Sequence, residues 1–211
     1  MADTLSKEQL SIISTWLGSG SINLFGLPFS GKDTHGRVLA ELFDAPLISG
    51  GHLLRHSIIP PKLKSELDAG KLFPPDKFLE IVTPYLAKPE FEGHPLVLSS
   101  VGRWIGEEQG IVRASEASGH PIKAAIYLHL AEDMVHTRWE KSQKHGDRGE
   151  RADDAEHVLT TRIEEFNTKT LPVIEVYRAM GLLIELNSDA EKHEVLESIL
   201  ARLLVRALDN A

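Results

Sequence analysis

The most constraining stretch of this chain is Gly26-Leu-Pro-Phe-Ser-Gly31-Lys32. It follows Ile22-Asn-Leu-Phe25, which has the pattern of a short buried strand, and it opens a helical pattern from Lys32 to Phe43. Glycines at such a junction let successive backbone N–H groups turn inward around phosphate oxygens. The helix N-terminus adds partial positive charge, and Lys32 supplies a mobile cation for β- and γ-phosphates. Strand, glycine turn and helix together make the pattern specific for a triphosphate.

The rest of the chain alternates in the same way. Residues 45–48, Pro95-Leu-Val-Leu-Ser99, Ala124-Ala-Ile-Tyr-Leu-His129 and Leu182-Leu-Ile-Glu-Leu186 read as further short strands. Helical patterns cover 76–87, 104–117, 132–144, 153–180 and 189–208, with Pro172 expected to bend or break the long one. Apolar strands alternating with helices predict an α/β fold, a five-stranded parallel sheet covered on both faces. Residues 5–17 form an amphipathic pattern closed by Gly18-Ser-Gly20. It reads as a helix that covers core surface, with docking of a partner as the alternative. Residues 50–75 and the polar stretch 141–152 do not fit the alternation and read as excursions from the sheet.

With 211 residues, 42% apolar and 26% charged, one soluble domain with its own core is expected. A net charge of −8 without a basic block argues against nucleic acid. The absence of cysteine excludes disulfides and thiolate metal sites. The apolar runs are too short to span a membrane and residues 1–21 lack a signal-peptide core, so a cytoplasmic, monomeric enzyme is expected. The ten histidines give only pairs, such as His52 with His56, which is too few for a metal site.

Gly26-x-Pro28-x-Ser30-Gly31-Lys32-x-Thr34 resembles the phosphate loop of the adenylate kinase family. The resemblance continues to the end of the chain. Ile48-Ser-Gly-Gly-His-Leu-Leu-Arg55 is similar to the family's monophosphate-binding opening, and Gly70-Lys-Leu72-Phe-Pro-Pro-Asp76 to the turn that follows it. Leu98-Ser-Ser-Val-Gly-Arg103 stands where a second phosphate-binding arginine belongs. Arg138, Arg151-Ala-Asp-Asp154, Arg162 and Thr170-Leu-Pro-Val-Ile174 follow in family order. The resemblance implies a phosphate-binding-loop kinase that moves the γ-phosphoryl group of ATP onto a nucleoside monophosphate, with Mg²⁺. It implies a core of 21–49, 79–140 and 153–211 behind the helical extension 1–20. A monophosphate flap is expected at 50–78 and a short lid at 141–152. Lys32, Arg103, Arg138, Arg151 and Arg162 would be catalytic. Gly26, Pro28, Ser30, Gly31, Asp33 and Thr34 would join Lys32 and Arg138 around ATP. Gly50, Arg55, Leu72, Arg103 and Glu107 would hold the monophosphate. Arginine forks suit this chemistry, which consists mainly of positioning and neutralising phosphates. Arg148 has no family counterpart and reads as a solvated side chain.

Several positions depart from the family. Asp33 stands where the family has glycine, and Ser99 where it has an aspartate that helps to hold Mg²⁺ through water. Asp33 either takes over that outer-sphere role or is an ordinary acid of a first helical turn. Gly50, His52 and Glu107 replace residues that read the acceptor base. A carboxylate at 107 only accepts hydrogen bonds, so the acceptor is AMP on family grounds, with CMP, UMP and GMP as alternatives. Glu107 could instead be a helix-surface acid. A third reading is a catalytically impaired nucleotide-binding protein.

Overall fold

The computed structural model describes residues 5–145 and 155–210. Five short strands, β1 (Ser21–Phe25), β2 (Leu47–Ser49), β3 (Leu96–Ser99), β4 (Ile122–His129) and β5 (Leu183–Asn187), form one sheet in the order β2-β3-β1-β4-β5. All neighbours run parallel. Ile22 pairs with Val97 on one side and Ala124 on the other, Ile48 with Leu98, and Ile126 with Ile184. Parallel strands covered on both faces are nearly continuous apolar runs, and β1 and β3 are buried at every position, Ser21, Asn23 and Ser99 included.

The two faces carry separate cores. Helices α1 (Lys7–Leu17), α2 (Lys32–Leu42) and α10 (Lys192–Asp209) cover one face. Ile13, Leu17, Leu39, Ile199 and Leu203 pack there against Ile22, Leu24 and Ile126, all fully buried. The helix at the N-terminus is therefore an integral wall, as its amphipathic pattern suggested. Its start is fixed by a capping box between Ser6 and Gln9. On the other face lie α3 (Gly50–Arg55), α4 (Pro61–Asp68), α5 (Pro75–Leu86), α6 (Glu107–Ala117), α8 (Glu156–Glu165) and α9 (Leu171–Ala179), around Phe25, Leu98, Val82, Ile111, Ile174 and Tyr177. Helix α7 (Glu132–His145) follows β4.

Element boundaries shift where polar chemistry intervenes. Helix α6 begins at Glu107 rather than 104, because left-handed Gly102 and Gly106 keep the preceding residues out of the helix. Helix α10 begins at Lys192, where Glu191 and Glu194 form a capping box. The long helical pattern from 153 does not break at Pro172. It widens into a π turn over Phe166–Thr170, and Pro172 then occupies the first turn of α9, where its missing N–H costs nothing.

Candidate active site

The strand order reverses around β1, and the crevice beyond the carboxyl ends of the strands is where ligands bind in open parallel sheets. The loop after β1 lies in that crevice. At Gly26, a Cβ would stand 2.5 Å from Ser30 Oγ and 2.6 Å from the Leu128 carbonyl oxygen, so only glycine lets the chain pass. Phe29 adopts a left-handed backbone (φ 63°), a departure for a bulky residue that marks a tightly determined turn. Gly31, also left-handed, opens α2. Lys32 Nζ reaches back over the loop to the Leu27 carbonyl oxygen at 2.7 Å and to Ser30 Oγ at 3.5 Å.

Around this loop runs one cleft of about 1020 Å³. Gly26, Pro28, Gly31, Lys32, Asp33 and Thr34 line it on one side. Arg55, Leu72, Arg103 and Arg162 line it as well, although they come from four separate segments. Arg138, from α7, bridges two carbonyl oxygens, Phe29 at 3.2 Å and Ser188 at 2.5 Å. It thereby ties the phosphate loop to the turn between β5 and α10. Ser30 is buried inside the loop. Arg151, Arg148 and most of 141–152 lie outside the described residues.

Two expected acceptor-side residues do not line the cleft. The cleft wall takes Ser49 and Gly51 but not Gly50, because α3 starts hard against the Ser100 carbonyl oxygen, 2.5 Å from where a Gly50 Cβ would stand. Glu107 is neither a base-facing residue of the cleft wall nor a surface acid. It is 3% exposed, and its Oε2 accepts the backbone N–H groups of Arg103 at 2.7 Å and Trp104 at 3.0 Å. Burial pushes its carboxyl above the usual range, and the two N–H groups pull it back.

Four contributors escaped the sequence reading. His35, on the second turn of α2, lines the cleft and is 4% exposed. Burial, reinforced by Arg138 and Lys192, holds its imidazole down at about 4. Glu165 accepts the Leu72 N–H at 2.8 Å and Lys169 Nζ at 2.6 Å, so the segment before α5 is held by the end of α8. Lys169 also lies 3.8 Å over the Trp104 ring. Asn23, wholly buried in β1, pairs with Val101. An asparagine in an otherwise apolar strand run was the signal available in the sequence, since a buried amide requires partners.

A triphosphate-binding loop that shares one cleft with arginines from several segments defines a nucleotide phosphotransferase. Comparison with known proteins narrows the class. The adenylate kinase family model matches residues 24–182. Adenylate kinase 2 of Synechocystis sp. is 30% identical, over 85% of this chain and 98% of its own length. The adenylate kinase of Clavibacter michiganensis is 29% identical over 88% and 93%, and that of Caldicellulosiruptor bescii 25% over 85% and 97%. The chain belongs to the adenylate kinase family and is a phosphotransferase of the nucleoside monophosphate kinase type.

Proposed function

We propose that this cleft carries out the reversible reaction ATP + AMP = 2 ADP, with the roles divided between its two sides. Lys32 and the N–H groups of the loop take the β- and γ-phosphates of ATP, and Arg138 lies on the same side. Arg55 and Arg103 take the phosphate of the acceptor. Arg162, with Arg151 by its motif, neutralises the phosphoryl group in flight. The observation that carries this reading is the continuity of the cleft, whose wall includes Lys32 as well as Arg55, Arg103 and Arg162. In-line transfer needs the two anions brought together and their charge met by fixed cations. Residues 50–78 and 141–152 act as the flaps that exclude water, without which the triphosphate would be hydrolysed.

Magnesium fits the donor side on chemical grounds. Among the described residues no three histidine, aspartate or glutamate side chains converge on one point. A divalent ion here would therefore arrive on the triphosphate and keep most of its water, as Mg²⁺ does. Asp33 would hold one of those waters, and the ion would offset phosphate charge beside an otherwise repulsive carboxylate. Ser99 Oγ lies 2.8 Å from Asp33 Oδ1 and orients it.

The test is a coupled assay with Mg-ATP and a panel of AMP, CMP, UMP and GMP. Turnover with AMP is the expected result. Turnover confined to another monophosphate would reassign the acceptor, and none with any of the four would refute the phosphotransfer reading.

A further inference from the structure

Between β3 and α6 the chain crosses residues 100–106 with left-handed backbone at Ser100 (φ 56°), Gly102 (φ 76°) and Gly106 (φ 96°). A path of this kind forms no regular ladder, and its buried polar groups need other partners. Side chains from three elements provide them. Asn23 of β1 donates to the Val101 carbonyl oxygen at 2.7 Å and accepts the Val101 N–H at 3.4 Å. Glu107, the first residue of α6, accepts the N–H groups of Arg103 and Trp104. Thr170 Oγ1, from the π turn, donates to the Arg103 carbonyl oxygen at 3.0 Å. Arg103 is thus gripped at its N–H by a carboxylate and at its C=O by a hydroxyl.

We propose that Glu107 is a positioning residue for Arg103. It sets the reach of the guanidinium toward the acceptor's phosphate by fixing the backbone that bears it, with Thr170 as the opposing grip. The inference rests on the phosphate-binding role given to Arg103 above. A side-chain carbonyl oxygen suits the task, because both of its partners are N–H donors and it has only to accept. It also gives the buried acid a task other than reading a base. A base reader would discriminate among acceptors, whereas a backbone grip acts on the phosphate that all acceptors share.

That difference sets the experiment. Glu107→Ala, Glu107→Gln and Thr170→Val are assayed with Mg-ATP and with AMP, CMP, UMP and GMP, alongside amide hydrogen exchange at Arg103 and Trp104. Glu107→Ala is expected to lower kcat/KM by the same factor for every monophosphate that is turned over, on the order of tenfold for two lost hydrogen bonds. KM for ATP should stay unchanged, and exchange at both amides should accelerate. Glu107→Gln should recover most of the loss, since its amide oxygen can accept both N–H groups. Thr170→Val should reproduce the acceptor-side loss in milder form, which keeps the test open should Glu107→Ala not fold. A changed ranking of the monophosphates, an equal loss toward ATP, or unaltered amide exchange would each overturn the proposal. Should the unsubstituted enzyme turn over no monophosphate, the phosphotransfer reading falls separately. Exchange and monophosphate affinity, read in the same variants, then decide the grip.

Discussion

Ser99, the last residue of β3, donates its hydroxyl to Asp33 on the first turn of α2, with 2.8 Å between Oγ and Oδ1. The family pattern has the acid on the strand and glycine on the helix. In this chain the strand carries a hydroxyl at that position and the first turn of α2 carries an acid, and the two are hydrogen-bonded. The carboxylate thus borders the same space from the opposite bank, beside Lys32.

Removing that charge should weaken the hold on Mg²⁺. Asp33→Asn is expected to lower kcat and raise the Mg²⁺ concentration needed for half-maximal rate, on the order of tenfold to a hundredfold, as for other partners of bound metal. The double variant Asp33→Gly, Ser99→Asp should recover part of the loss by restoring the family arrangement. Rates measured across an Mg²⁺ titration check both, and an Asp33→Asn curve superimposable on the parent's would show the carboxylate to be an ordinary first-turn acid.

Lys32 is the mobile cation of the loop and spans to Leu27 and Ser30. Lys32→Met keeps most of the stem and removes the charge. Loss of one preorganised stabiliser of developing phosphate charge should cost about 10²–10³ in kcat, with little change in thermal melting. Steady-state rates and a melting curve on the same preparation separate the two effects.

His35 makes stability depend on acid. Its folded value of about 4 lies below the ordinary 6.5, so the folded state disfavours the proton. The contribution is fully present above about pH 6.5 and is lost as pH falls toward 4. Its size is on the order of 3 kcal/mol at neutral pH relative to strong acid. Denaturant unfolding at pH 7 and pH 4 should show a smaller difference for His35→Gln than for the parent. An identical difference would place the acid sensitivity elsewhere.

Helix α1 lies outside the matched family segment but carries two fully buried side chains, Ile13 and Leu17. Leu17→Ala should therefore destabilise by about 2–5 kcal/mol through the cavity it leaves. KM for both substrates should hold, because no residue of α1 lines the cleft. Calorimetry with parallel kinetics tests this, and a cost below the error of the measurement would mean the helix is a mere appendage.

What could be read in the sequence followed from patterns with a fixed physical cause. The strand at 22–25, the glycine turn and Lys32 were legible because backbone geometry dictates them. The arginines at 55, 103, 138 and 162 stood out by motif order, and all four line the one cleft. Glu107 and Gly50 lie off the cleft wall; motif position does not give direction. A side chain near the start of a helix can serve the loop before it as easily as the cleft beside it, and only packing decides. His35, Asn23 and Glu165 went unseen for a related reason. Each is defined by partners 50 or more positions away or by burial, and no local spacing reports either.

The π turn at Phe166–Thr170 has a consequence for how this chain can vary in length. Its side chains and those beside it serve three clients: Glu165 holds Leu72, Asn167 Nδ2 reaches Glu132 Oε1 at 2.7 Å, and Thr170 holds Arg103. In an ordinary helix each residue advances about 100° around the axis. A π turn takes about one residue more than an α turn, so deleting a single residue here would restore ordinary winding and leave the later side chains close to their present directions. Tyr177 and the buried face of α9 would then keep their neighbours, while the side chains inside the turn would lose theirs. The wide turn acts as an absorbed insertion between two helical segments, and for folding residues 166–170 should bear the loss of one residue better than the helix on either side does.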